Sequence, residues 1–180
     1  MLAKAFPRYG RLPKGVSFIY DVNAHVHAYE FMKDVTDVTI HSSDVLKQCK
    51  FFPNEFSVFF IIKHSRTYTG KECLLVTGDL NANIVSIEIT RRNIFFIYKN
   101  KKVKFKNNFL RDNKWHTLGF SLGGTHVTMT TDCINKKHKR LKRIFPEKID
   151  ALNKTFTLGS CGQKGGVFQV SFTIPIKHGF

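Results

Sequence analysis

Residues 113–133, NKWHTLGFSLGGTHVTMTTDC, decide the fold class of this 180-residue chain, because two runs of alternating side chains flank a pair of glycines. Trp115, Thr117 and Gly119 alternate with His116, Leu118 and Phe120, and Val127, Met129 and Thr131 alternate with His126, Thr128 and Thr130. Gly123 and Gly124 between them offer the φ > 0 freedom of a tight turn, so the pattern predicts a β-hairpin turning at the glycines. The sole Trp stands at one end and Cys133 at the other, which places the indole as an anchor of a sheet-on-sheet core.

Working outward, residues 55–64 are apolar at nearly every position and predict a central strand covered on both faces. Further strands are expected over 73–77, 84–90, 94–98 and 103–109. Upstream, 15–31 reads as strand, turn and strand, 35–40 as a short strand, and Ser43 as the cap of a single helical turn. Downstream, 134–148 reads as a basic connection containing Pro146, and 155–159 and 167–174 as two last strands around the glycine-rich run CGQKGG. Short strands with a turn about every ten residues predict an all-β, antiparallel β-sandwich of the jelly-roll kind. Residues 1–14 lack alternation and form an irregular arm, leaving 15–180 as one domain.

Composition agrees with strands: 18 Phe in 180 residues suit half-buried pleated surfaces. The charge carries more information. With 29 Lys and Arg against 13 Asp and Glu, the formal net charge is +16, which attracts polyanions from a distance. Two clusters concentrate it. In KNKKVKFK (99–106), period two sends Lys102, Lys104 and Lys106 to one face and Val103 and Phe105 to the other, with Lys99 and Lys101 beside them. In KKHKRLKR (136–143), Lys136, Lys137, Lys139, Arg140, Lys142 and Arg143 crowd the connection, and the two guanidinium groups suit bidentate grip of anionic oxygens.

Several function classes find no footing. No G-x-S-x-G, H-E-x-x-H or P-loop pattern occurs, so no enzyme is indicated and no cofactor is expected. His25 and His27 share a strand face but lack a third ligand, and the acids are scattered, so no metal site is assigned. The aromatics sit at core spacing, with no RNP-like or helix-turn-helix pattern, which argues against nucleic acid. No apolar run of membrane-spanning length exists. Cys49, Cys73, Cys133 and Cys161 make an even number without zinc-finger spacing, which favours disulfides, and the strand layout disfavours a Cys49 to Cys73 bridge. No signal peptide is written in this chain, so it reads either as cytosolic with free thiols or as part of a longer secreted protein with its leader upstream. Asn153-Lys154-Thr155 is a glycosylation sequon, usable after secretion.

The motif residues resemble a known family. Ala28-Tyr29-Glu30-Phe31, Phe52-Pro53-Asn54-Glu55-Phe56-Ser57, Asp112-Asn113-Lys114-Trp115-His116, Thr131-Asp132-Cys133, Leu158-Gly159-Ser160 and Gly166-Val167-Phe168-Gln169 follow the order and spacing of the thrombospondin N-terminal-like domain, a laminin-G-like β-sandwich. The resemblance implies an extracellular, non-catalytic recognition module of a matrix or cell-surface protein, with heparin or heparan sulfate as the ligand expected at the two basic clusters. It also implies Cys133 as a bridge member. The alternative is a protein-protein adhesion or assembly module whose charge serves solubility.

Overall fold

The computed structural model describes residues 11–32, 38–46, 49–53, 55–64, 70–78, 83–110, 112–145, 149–159 and 170–173, the last four and 143–145 as backbone. In chain order the elements are β1 (Val16–Asp21), β2 (Val26–Phe31), β3 (Val38–His41), a helical turn α1 (Ser42–Leu46), β4 (Glu55–His64), β5 (Glu72–Gly78) and β6 (Asn83–Ile89). Then follow β7 (Asn93–Tyr98), β8 (Lys101–Lys106), β9 (Trp115–Thr131), β10 (Asn135–Phe145), β11 (Thr155–Leu158) and β12 (Val170–Thr173). They form two six-stranded antiparallel sheets, β1-β2-β12-β4-β9-β10 and β3-β11-β5-β6-β7-β8. The expected antiparallel β-sandwich is the fold. Its two last strands both enter sheet interiors: β12 lies between β2 and β4, and β11 between β3 and β5.

The core is built from the alternating positions of both sheets. Phe60 and Ile62 of β4 and Leu118, Phe120 and Leu122 of β9 face Ile87, Ile94, Phe96, Val103 and Phe105 of the other sheet. Phe120 is the meeting point, with ring centroids 6.2 Å from both Phe96 and Phe105. The strand buried at every position is β5, whereas β4 is central but carries Phe59 on its outer face at 65% exposure. The expectation that β4 is covered on both faces therefore belongs to its neighbour in the other sheet.

The glycine pair does not turn the chain. Residues Trp115–Thr131 form one strand, pairing with β4 from Trp115 to Gly123 and with β10 from Gly124 to Thr131. Gly124 adopts φ 53°, and between the Arg140–His126 and Phe145–Gly124 pairs β10 advances five residues against two on β9, a register irregularity with its surplus on β10; at the glycines β9 changes its pairing partner and its buried face. Before the glycines the even positions Leu118, Phe120 and Leu122 are buried; after them Val127, Met129 and Thr131 are. The turn comes later, at Asp132 and Cys133, with successive φ of 51° and 57° and Ile134 N–H donating to the Thr131 carbonyl at 3.2 Å. The basic segment after it is a strand, β10, where a connection was expected.

Two further expectations fail. Trp115 lies on the outer face, because the even positions of this half-strand point inward; its indole N–H donates to Asp21 Oδ2 at 2.9 Å. The four cysteines do not all pair: Cys49 and Cys133 are exposed free thiols, Cys133, implied as a bridge member by the resemblance, being carried on the tip of the β9–β10 turn, while Cys73 is disulfide-bonded. Cys161, the CGQKGG run and most of the N-terminal arm lie outside the described residues.

Candidate functional site

Strand β8 owes its position to a two-residue turn. Lys99 and Asn100 take φ 41° and 64°, and Tyr98 pairs with Lys101 across them, the geometry that matches strand twist. The alternation then runs as read from the sequence: Val103 and Phe105 are buried, while Lys102, Lys104 and Lys106 are exposed. Strand β10 has a weaker inward face. Leu141 is buried at 1% exposure, and Lys139, exposed, has its Nζ 5.8 Å from the centroid of the Phe105 ring.

Each of these strands is the edge of its sheet, and the two edges lie against each other. Between them runs a groove of 310 Å³ lined by Asn100, Lys101, Lys102, Val103, Lys104, Lys139, Arg140 and Lys142. The two sequence clusters thus meet at one site. Lys99, Lys106, Lys136 and Lys137 lie on the same strands and turn, outside the lining residues; for Arg143 the structure describes backbone alone.

The electrostatics of the groove are one-sided. Lys102 is held by Glu88 at 3.5 Å and over the Phe95 ring at 3.8 Å. Among the described residues no carboxylate pairs with Lys101, Lys104, Lys139, Arg140 or Lys142. Unit charges of one sign at contact distance repel by ~1 kcal/mol per pair even in water. A ligand that supplies anionic oxygens relieves that repulsion.

Other candidate residues are scattered. His25 sits in the β1–β2 turn with Nδ1 3.2 Å from the Tyr20 hydroxyl, while His27 stacks on Phe18 with centroids 5.2 Å apart. Among the described residues no group of three metal-ligating side chains exists. Asn153 is exposed, with φ 55°, in the turn before β11. That turn starts a strand four places from β8 across the sheet, ~19 Å at the usual strand spacing.

The sequence reading missed three polar clusters. Asp21 accepts from Lys63 Nζ at 2.6 Å and from the Trp115 indole, and these bonds, Lys63 first, bring its carboxyl from 3.8 down to about 2. His116 is clamped between Asp132 at Nδ1 and Asp112 at Nε2, both at 2.9 Å, which requires both ring nitrogens to donate. Burial pulls this imidazole down, but the two carboxylates outweigh it and raise it above its ordinary value. Burial likewise pushes Asp112 up, and the bonds from His116 and the Lys114 N–H leave it lowered. His64 and Glu72, each 1% exposed, pair across the core between β4 and β5. The Asp21 cluster joins stretches 42 and 94 residues apart, which no local spacing announces, whereas His64 and Glu72 lie eight residues apart and Asp112 and His116 four apart.

The laminin G domain family model matches residues 66–179. The chain belongs to the laminin G domain family. This laminin G chain is 22% identical over 139 residues to the thrombospondin-type laminin G domain and EAR repeat-containing protein of Homo sapiens, covering 71% of the chain and 21% of that protein. It therefore spans about a fifth of the length of the curated relatives it matches. In three dimensions it is similar to domains LG4-5 of the mouse laminin alpha1 chain, with TM-score 0.51 and 15% identity over 70% of this chain and 36% of that one. It is also similar to alginate lyase AlyC3, with TM-score 0.56 and 10% identity over 91% and 77% of the two chains, a likeness of fold. Laminin G membership suggests an extracellular recognition or binding module. No helix among the described residues is long and apolar enough to cross a membrane.

Proposed function

We propose that this laminin G domain, residues 15–180, is a non-catalytic extracellular module of a matrix or cell-surface protein that binds sulfated glycosaminoglycan, heparan sulfate or heparin, in the groove between β8 and β10. The observation that carries the reading is the convergence of two basic clusters, about 35 residues apart in sequence, on one groove. Six cations line it, five of them without a carboxylate partner among the described residues. Binding then gains from counter-ion release and from sulfate hydrogen bonds, with Arg140 offering a bidentate fork. A glycan on Asn153 sits far enough along the sheet to leave the groove open.

The test is elution from a heparin column in a salt gradient, beside a cation exchanger of matched charge density. The wild type elutes later from heparin, and a variant with Lys101, Lys104, Lys139, Arg140 and Lys142 changed to Gln loses the difference. Equal elution of the wild type from both matrices overturns the reading.

A second reading, adhesion to a protein, has its own observation. Phe18 and Tyr20 on the far edge strand β1 are 51% and 49% exposed, and with His27 and Tyr29 they form a row of touching rings. Binding to matrix proteins that survives the five Gln changes and is lost in Phe18→Ser/Tyr20→Ser supports it.

A further inference from the structure

Arg140 belongs to two surfaces. It lines the groove, yet its register position on β10 is opposite His126 of β9, on the outer face of that strand pair. On the same outer face Lys136 pairs with Thr130 and His138 with Thr128, whose Oγ1 lies 2.8 Å from His138 Nδ1. His126, Lys136, His138 and Arg140 are all exposed. Two imidazoles thus neighbour a residue, Arg140, that also lines the groove.

We infer that the anion site continues from the groove around Arg140 onto the outer face of β9 and β10, and that His126 and His138 are ligand-binding residues there, contacting sulfate groups in their protonated form. The inference rests on the glycosaminoglycan reading above and adds residues that neither basic run contains as cations. An extended polyanion seated in the groove meets this face next, since Arg140 belongs to both. The groups facing the two rings are cationic or neutral: Arg140 and Lys136 from β10, Thr128 and Thr130 from β9, and the Thr125 hydroxyl 3.1 Å from His126 Nδ1. The nearest acid on the adjoining strand is Glu55 of β4, which packs at Gly123.

A polysulfate that contacts an imidazole favours its charged form over its neutral form, and such a preference links binding to pH. Affinity for heparin rises as pH falls. Each added contact steepens the dependence of log affinity on log salt by about one at most.

The experiment is heparin affinity across a salt series at pH 7.5 and pH 5.5, for the wild type and for His126→Gln/His138→Gln, with the matched exchanger in parallel. The expected result is a steeper salt slope and several-fold tighter heparin binding of the wild type at pH 5.5. The double variant loses that gain. A wild type whose heparin affinity is unchanged by pH, or a double variant that retains the full gain, overturns the inference while leaving the groove intact. Heparin behaving as the matched exchanger at both pH values removes the underlying reading instead.

Discussion

Three glycines separate two costs that are usually entangled, the cost of a left-handed backbone and the cost of space, and together they test the packing described above. Gly124 holds φ 53° with nothing within 4 Å of the place a Cβ would occupy, so Gly124→Ala pays for conformation alone, ~1 kcal/mol. At Gly119 the added Cβ meets the Phe59 ring at 2.7 Å. That ring is 65% exposed and free to swing outward. A strand-interior alanine also regains up to ~1 kcal/mol of backbone entropy, so Gly119→Ala is expected within ~0.5 kcal/mol of the wild type. Gly159 combines both penalties: φ 72°, and a new Cβ that runs into the Phe31 ring, 2.8 Å from Cε1 and closer still to Cδ1. Phe31 is fully buried and has nowhere to go. Adding ~1 kcal/mol for the backbone to roughly 1–3 kcal/mol for overpacking gives about 2–4 kcal/mol for Gly159→Ala. Urea unfolding of the three variants, followed by tryptophan fluorescence, reads the order directly. A Gly159→Ala cost no larger than that of Gly124→Ala refutes the reasoning.

Two pH effects follow from the polar clusters. A carboxyl at about 2 in place of 3.8 makes Asp21 worth at most ~2 kcal/mol, less what water screens at the 24%-exposed Lys63. Because the folded value is depressed, that stability is present above pH ~4 and fades as pH falls towards 2; Asp21→Asn flattens this limb of a stability-versus-pH curve. His116 works in the opposite sense. Its raised folded value makes the contribution complete below the ordinary histidine range and lost as pH rises through the folded value, so His116→Gln removes a decline in stability on the alkaline side of pH 6.5, as measured by denaturant melts from pH 6 to 9. A wild-type curve that is flat over that range counts against the Asp112–His116–Asp132 clamp.

The sequence disclosed most where burial imposes a two-residue period. Val103 and Phe105 between lysines fixed the faces of β8, and the antiparallel sandwich followed from many such segments. It misled where one local device has two uses. A glycine pair between alternating runs serves a turn or a mid-strand change of partner equally well, since both can use φ > 0 and both can switch the buried face. What settles the matter is the pairing of Trp115–Gly123 with β4, a contact some 60 residues away in sequence. Strand β10 was hidden for a different reason: an edge strand with Leu141 as its one buried side chain among those described carries almost no hydrophobic period to read. The site residues were therefore visible as charges, while their meeting in one groove was not, because it depends on β8 and β10 being facing edges of opposite sheets.

The placement of β11 and β12 inside the two sheets has a consequence in time. A ribosome delivers β2 and β4, and β3 and β5, well before the strands that join them. Until Thr155–Leu158 and Val170–Thr173 arrive, both sheets stand open, with unpaired backbone along β2, β3, β4 and β5. Folding of the sandwich then waits for β11 and β12 to be made, governed by long-range closure, and the nascent chain passes through a stage in which its apolar strands are open to wrong pairing.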